Sequence, residues 1–154
     1  MIQRVQSVYL ALALVVTGLM FFFPLGTFLG GVEQFRLYLG GLYNAEGVRV
    51  ENTSLMSGFA LTAMLQSTVA IFFYKKRPVQ INLCNLAMSF LAGLQFLVCF
   101  YLWSTFKDMT GFTPNAFSFS VAAVLPVIAF ILVWLAMRGV KRDDAMVRSL
   151  ERVR

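Results

Sequence analysis

The polar side chains inside the most apolar parts of this sequence are neutral, which limits the chemistry that they can do. Amides and hydroxyls within membrane helices hydrogen-bond to neighbouring helices or line a path for an uncharged solute. The residues of this kind that we single out are Gln66, Asn85, Ser89 and Gln95. Gln66 and Ser89 each lie about eight residues, or roughly 12 Å of helix, from a basic loop at 74–80. We therefore expect them to meet as hydrogen-bonding partners between two helices.

Other reactive residue types are scarce. The sequence contains no histidine, which is the commonest general base and a common metal ligand. Cys84 and Cys99 stand about 22 Å apart on one predicted helix, too far for a disulfide bond, so we expect both to pack as small apolar residues. No phosphate-binding glycine loop or paired carboxylates are present. The sequence predicts no catalytic residue, no metal site, no cofactor and no enzymatic activity.

A second group of candidate residues is basic and lies at the ends of apolar runs. The net charge of +6 is compatible with nucleic-acid binding, but charges beside apolar segments are typical of a membrane surface. We therefore expect no nucleic-acid partner, and we expect contacts with anionic lipid headgroups or with a protein. The residues concerned are Arg4, Lys75, Lys76, Arg77, Lys141, Arg142, Arg148 and Arg152.

The elements that must position these side chains are membrane helices. Hydrophobic residues make up 59% of the 154 residues and charged residues only 13%, a composition typical of an integral membrane protein. About 20 apolar residues of helix cross a hydrocarbon core of about 30 Å. The sequence predicts one all-α domain over 1–154 with four spans forming two helical hairpins. The predicted spans are 5–29, 54–73, 81–104 and 117–137.

Two of these spans have special features. A cleaved signal peptide is the alternative for the first span, but bulky Phe21, Phe22 and Phe23 occupy positions where a cleavage site requires small residues. Pro126 stands inside the fourth span and predicts a bend there, because proline removes a helical hydrogen bond. We expect the first span to be retained and the fourth to be kinked.

The segments outside the predicted spans carry weaker patterns. In the loop 30–53, apolar and polar residues alternate around a turn at 44–47, which predicts a small β-hairpin; an irregular loop is the alternative. The tail 138–154 places Val140, Val147, Leu150 and Val153 near one helical face. This spacing predicts an amphipathic helix on the membrane surface, with a disordered basic tail as the alternative.

Basic residues also predict an orientation. Of the 13 Lys and Arg residues, only Arg36, Arg49 and Lys107 lie on the side of the loop 30–53. The positive-inside rule therefore places both termini and the loop 74–80 in the cytoplasm.

Three segments on this predicted cytoplasmic side resemble a known family. They are Met1–Leu10 (MIQRVQSVYL), Lys76–Gln80 (KRPVQ) and Lys141–Arg154 (KRDDAMVRSLERVR). Together they resemble a family of short bacterial inner-membrane proteins catalogued as domain of unknown function 4293. The resemblance implies a four-helix protein of the bacterial inner membrane. It carries over no activity and no catalytic residues.

These observations predict a non-enzymatic accessory or scaffold subunit of the inner membrane, acting through its basic cytoplasmic face and its outer loop. Its expected partners are membrane lipids and either another membrane protein or further copies of itself. The alternative is a small channel for a neutral solute, lined by Gln66, Ser67, Asn85 and Gln95. The amides would have to face a continuous cavity for that alternative to hold.

Overall fold

The computed structural model describes residues 2–30, 33–74, 76–110 and 117–151. Within these ranges the chain forms four α-helices and one five-stranded antiparallel sheet. The helices are α1 (Ile2–Leu19), α2 (Ser54–Phe72), α3 (Arg77–Thr110) and α4 (Leu125–Glu151). The strands are β1 (Gly26–Gly30), β2 (Glu33–Tyr38), β3 (Gly41–Tyr43), β4 (Arg49–Glu51) and β5 (Phe117–Phe119). A 3-10 turn, Val121–Val124, precedes α4.

The sheet has the strand order β4-β3-β2-β1-β5. Its first four strands follow one another in the chain, whereas β5 arrives only after α3 and pairs with the open edge of β1. Successive side chains of a strand point to opposite faces. Accordingly, Leu37 and its cross-strand partner Leu42 are fully buried, while Arg36 is exposed on the opposite face.

The four helices pack as a ring, α1 on α2 and α4, and α3 on α2 and α4. The sheet lies between α1 and α2 in the chain, and its last strand lies between α3 and α4. The sheet therefore caps one end of the bundle, which we call the sheet end. The first turns of α1, the connection from α2 to α3 and the last turns of α4 form the other end, which we call the basic end.

A cluster of buried apolar side chains joins the sheet to the helices. Phe28 of β1 and Leu37 of β2 share this core with Leu94, Val98 and Leu102 of α3. Burying a side chain as large as Phe28 contributes about 1.5–3 kcal/mol to stability. The long α3 therefore continues past the bundle as a support for the sheet.

Thr53 adds a polar link at the same junction. Its side chain is fully buried, and its hydroxyl lies 3.0 Å from the Tyr38 carbonyl oxygen and 3.1 Å from that of Leu39. The start of α2 is thereby fixed to the end of β2. The Thr53 side chain therefore does not cap α2. Asn52 does so, because its Oδ1 accepts a hydrogen bond of 2.9 Å from the backbone N–H of Ser54.

A second buried cluster lies between the helices toward the basic end. It contains the larger side chains Leu10, Leu91 and Val133. The rest of the cluster is rich in alanine, namely Ala13, Ala63, Ala70, Ala87, Ala129 and Ala136. Small residues let membrane helices approach closely, so the described interior of the bundle is filled by direct helix contacts.

The prediction of a first span over 5–29 is wrong. The helix α1 ends at Leu19, and the backbone then tightens through three-residue bonds such as Phe22 N–H to the Leu19 carbonyl, 3.1 Å. Pro24 cannot continue a helix, and Gly26–Gly30 pairs with β2 as a strand. A buried strand and the end of a membrane helix are both apolar, so hydropathy alone does not separate them.

The prediction of a fourth span over 117–137 is also wrong at its start. Phe117–Phe119 forms β5 and α4 begins only at Leu125. Pro126 is therefore the second residue of α4 and not an interior one, and proline is well tolerated in the first turn of a helix because its missing N–H would have no partner within α4 there.

The tail was predicted as a separate amphipathic helix after Met137. Instead, α4 continues without a break to Glu151. Val140 is 1% exposed, and Asp143 accepts a hydrogen bond from Gln6 of α1. The described part of this segment thus extends the α1–α4 pair through contacts with α1.

The class predicted for the whole chain is therefore incorrect. A five-stranded sheet stands where a small hairpin was expected. Among the described residues, three helical segments are long and apolar enough to cross a membrane: Ser54–Phe72, Arg77–Asp108 and Val121–Met146. The apolar part of α1, Val5–Leu19, is shorter than these.

Candidate functional site

The candidate site is a stripe of side chains along α3 that faces away from the bundle. Its members follow one another in alternating steps of three and four residues, the spacing that keeps one face of a helix turned toward a partner helix. All of them are exposed. We call this stripe the seam; it consists of Asn82, Asn85, Ser89, Ala92, Phe96 and Cys99.

The seam lies almost opposite the buried face of α3. Buried residues such as Ala87 and Leu91 each stand two positions after a seam residue, here Asn85 and Ser89. Two residues turn a helix by about 200°, so the two stripes are about 160° apart. The helix α3 therefore has one face for its own bundle and a second, equally regular face that the bundle leaves uncovered.

Hydrogen bonds in the seam leave amide groups available. The Ser89 hydroxyl donates to the Asn85 carbonyl at 3.1 Å, which satisfies it within the helix. In the described part of the chain, no side-chain hydrogen bond joins the amides of Asn82 or Asn85 to another group. Each amide offers two N–H donors and one acceptor oxygen.

The position of the seam along α3 raises the free-energy cost of leaving these amides without hydrogen-bond partners. Asn85 lies about 12 Å and Ser89 about 18 Å from Arg77 along the helix axis. The helix α3 is long and apolar enough to cross a membrane, and in a hydrocarbon core of about 30 Å these depths correspond to its interior. Leu86 beside the seam and Phe96 within it are exposed apolar residues. Unpaired amides in hydrocarbon cost free energy, and contact with a second helix relieves that cost.

Gln66 and Ser67, in contrast, lie in the interior. Gln66 is 8% exposed, and its Oε1 has no hydrogen-bond partner within the described residues. Ser67 is buried and donates to the Ala63 carbonyl at 2.9 Å. Because Ser89 lies on the uncovered face of α3 and bonds to Asn85, the structure does not bring it to Gln66.

Gln95 lies beside the seam. Its Nε2 donates to the Cys99 sulfur at 3.4 Å, while its Oε1 is buried without a partner within the described residues. Asn85, Ser89 and Gln95 are thus gathered on and next to one face, and Gln66 is separate from them. Residues predicted to line one cavity therefore divide between the interior and the surface.

The predicted basic residues are found at the basic end where they are described. Lys76, Lys141 and Arg142 are exposed, and Arg77 is half-buried at the first turn of α3. Lys75 and Arg152 lie outside the described residues, as do the side chains of Arg4 and Arg148. Next to this group, the guanidinium of Arg138 stacks over Trp134 at 5.5 Å from the ring centre, a cation–π contact.

The other members of the seam were not predicted to form a contact surface, and Cys99, which was expected to pack as a small apolar residue, is exposed. Asn82, Ala92, Phe96 and Cys99 form a regular repeat with the two predicted residues, and this seven-residue period was readable. It was missed because composition indicated only that the segment spans a membrane.

Within the described residues, the structure contains no group of three or more His, Cys, Asp or Glu side chains that could hold a metal ion.

Comparison with known proteins identifies a family. The model of a family described as a domain of unknown function, DUF4293, matches residues 2–153. The match covers almost the whole chain and confirms the resemblance seen in the sequence. None of the curated proteins matches the chain.

Proposed function

The chain belongs to the DUF4293 family, and from its structure we propose that it is a non-enzymatic scaffold subunit of the bacterial inner membrane that associates with a second copy of itself. The seam of α3 is the contact surface. The observation that carries the proposal is the regular row of exposed residues on α3, polar or small except for Phe96, opposite its buried face.

A second copy fits the seam because the seam is complementary to itself. Copies inserted with the same orientation present parallel α3 helices, and a two-fold axis along the membrane normal then brings each residue opposite its own counterpart. An asparagine amide is both donor and acceptor, so Asn85 pairs with the partner's Asn85. Small Ser89 and Ala92 allow the two backbones to approach.

The distribution of charge supports an orientation. Lys76, Arg77, Lys141 and Arg142 lie at the basic end, so by the positive-inside rule that end, with both termini, faces the cytoplasm. Each well-placed basic residue adds about 1 kcal/mol of attraction to anionic headgroups. The sheet then faces the opposite side of the inner membrane.

The scaffold role follows from the shared core. Since Phe28 and Leu37 of the sheet pack with Leu102 of α3, the sheet and the membrane helices move as one body. A pair of copies joined through α3 therefore holds two sheets and two basic ends at a fixed separation for accessory contacts. The channel alternative has less support, because Asn85 lies on the outer surface of the bundle and Gln66 in its interior.

The proposal is tested by blocking the seam with one bulky side chain. Ala92→Phe places a phenyl ring between the two helices, and we expect it to convert a dimer into a monomer. Ala11→Phe is the matched control, because Ala11 is also exposed but lies on α1. The masses of both variants are compared with the wild type by light scattering in mild detergent and by native mass spectrometry from nanodiscs.

Three results decide between the possibilities. A dimer in the wild type and in Ala11→Phe, with a monomer in Ala92→Phe, supports the proposal. A wild type that is monomeric in both environments contradicts it. Co-purification of a different protein in fixed ratio, lost in Ala92→Phe, also contradicts the self-association and points to another partner on the same face.

A further inference from the structure

A cleft of about 690 Å³ lies against the face of the sheet that points away from the core. This volume falls within the range of small-ligand sites, about 300–1,000 Å³. Its walls come from β2, β3, the turn after β3 and the segment after α1. Its lining residues include Phe21, Arg36, Tyr38, Tyr43, Asn44 and Gly47. We call it the sheet cleft.

The strands place three of these side chains together. Arg36 and Tyr38 stand two positions apart on β2 and so share a face. Tyr43 of β3 is the cross-strand partner of Arg36. The rings of Tyr38 and Tyr43 meet edge to face with centroids 5.7 Å apart, a stable aromatic geometry. The cleft floor is therefore two packed tyrosine rings beside one guanidinium.

The rim of the cleft is a tightly bonded turn. Asn44 and Val48 exchange hydrogen bonds, from Asn44 N–H to the Val48 carbonyl at 3.1 Å and from Val48 N–H to Asn44 Oδ1 at 2.8 Å. Gly47 has φ +78°, a conformation that favours glycine. Because Asn44 Oδ1 is occupied by the turn, its Nδ2 remains as a donor beside the cleft.

The charge of the cleft selects an anion. Arg36 is the charged side chain among its described lining residues, and no carboxylate lies in that set. One terminal nitrogen of Arg36 donates to Gln34 Oε1 across a long 3.4 Å. The remaining guanidinium donors match the paired oxygens of a phosphate. The tyrosine hydroxyls and Asn44 Nδ2 supply further donors.

The location of the cleft indicates where such a phosphate comes from. Phe21 forms one wall, and the next residue, Phe22, is 78% exposed. Both follow the end of the apolar helix α1. Exposed aromatic rings at the end of apolar helices are typical of the headgroup level of a bilayer, so one side of the cleft opens toward lipid headgroups.

We propose that the sheet cleft binds the phosphodiester of an anionic headgroup, with Arg36 pairing to the phosphate and Tyr38, Tyr43 and Asn44 donating to its oxygens. The acyl chains of a bound lipid would extend past Phe21 into the membrane. This site is independent of the α3 seam.

The test compares two arginine variants. Arg36→Gln removes the charge from the cleft, whereas Arg49→Gln removes a charge from the same sheet outside it; Arg49 lies on β4 and bonds to Asn52. Delipidated protein in detergent is titrated with phosphatidylglycerol, and bound lipids are counted by native mass spectrometry. Parallel titrations use soluble glycerophosphoglycerol, which carries the same headgroup without acyl chains.

We expect Arg36→Gln to weaken one binding event at least about tenfold, so that this variant retains one lipid fewer than the wild type and Arg49→Gln. Loss of phosphatidylglycerol alone assigns the site to a membrane lipid. Equal loss of glycerophosphoglycerol assigns it to a free phosphodiester. Identical binding by Arg36→Gln and the wild type, or equal loss in both arginine variants, overturns the proposal.

Discussion

Gln6 near the start of α1 and Asp143 near the end of α4 are joined by a hydrogen bond of 2.5 Å between Nε2 and Oδ2. Gly139 makes room for it, because a Cβ at that position would lie 3.0 Å from Gln6 Cγ. Gln6 is 5% exposed. This contact closes the α1–α4 pair at the basic end, where a separate surface helix was predicted.

Removing the acceptor should loosen this end. We expect Asp143→Ala to lower the free energy of unfolding by about 1.5–3 kcal/mol, the usual contribution of a hydrogen bond to a charged group. Asp143→Asn keeps an acceptor oxygen and should lose less. Denaturant unfolding in detergent measures both variants; equal stability of Asp143→Ala and the wild type would show that the contact is unimportant.

A second prediction concerns the packing of α2 against α3. A Cβ added to Gly93 would lie 2.6 Å from Cε1 of Phe59, a ring that also packs edge to face on Phe90 at 5.3 Å. We expect Gly93→Ala to destabilise the protein by about 1–3 kcal/mol, the cost of overpacking.

Gly58 provides the matched control for that substitution. It lies on the exposed side of α2, and nothing stands within 4 Å of an added Cβ. Gly58→Ala should therefore be neutral or stabilising by up to about 1 kcal/mol, the gain in helix propensity. If the two alanine variants shift the unfolding transition alike, the close approach of α2 and α3 is refuted.

Gln66 yields a third prediction, opposite to the one expected of an interhelical hydrogen bond. Because its buried Oε1 has no partner within the described residues, Gln66→Leu removes an unpaired polar atom without breaking a bond to it. We expect the free energy of unfolding to stay the same or to rise by about 1 kcal/mol. A clear loss of stability in the same unfolding assay would mean that Gln66 holds two helices together.

How far the sequence predicts the fold depends on the element. The helix Ser54–Phe72 matches the predicted span 54–73 closely. A long apolar run that follows helix-capping residues and precedes a basic loop is typical of a membrane-spanning helix. The sheet was largely missed. Strand β5 pairs with β1 although α2 and α3 lie between the two strands in the sequence. A three-residue strand carries no local signal of a partner so distant in sequence.

The candidate sites were predictable to different degrees. Asn85 and Ser89 were recognised as polar residues in a span, but which face of α3 they occupy depends on how α2 and α4 pack against it. The sheet cleft is lined by Phe21 as well as by Tyr43, and Phe21 was assigned to a helix that in fact ends at Leu19. Local patterns give residue types and periods, whereas tertiary packing decides which faces remain uncovered.

Self-association through α3 is tested most directly with the protein's own cysteines. Cys99 is an exposed member of the seam, whereas Cys84 is buried in the bundle. In a parallel, in-register pair, Cys99 faces Cys99 of the second copy at a separation that permits a disulfide, about 4.4–6.8 Å between Cα atoms. Oxidation of native membranes with copper phenanthroline removes two electrons and two protons and forms that bond.

Self-association through the seam predicts a covalent dimer in the wild type and in Cys84→Ala, reversed by reducing agent and absent in Cys99→Ala. A maleimide probe checks that the Cys99 thiol reacts under the same conditions. If Cys99 is labelled by maleimide but yields only monomer after oxidation, the seam does not join two copies and the proposed scaffold is contradicted.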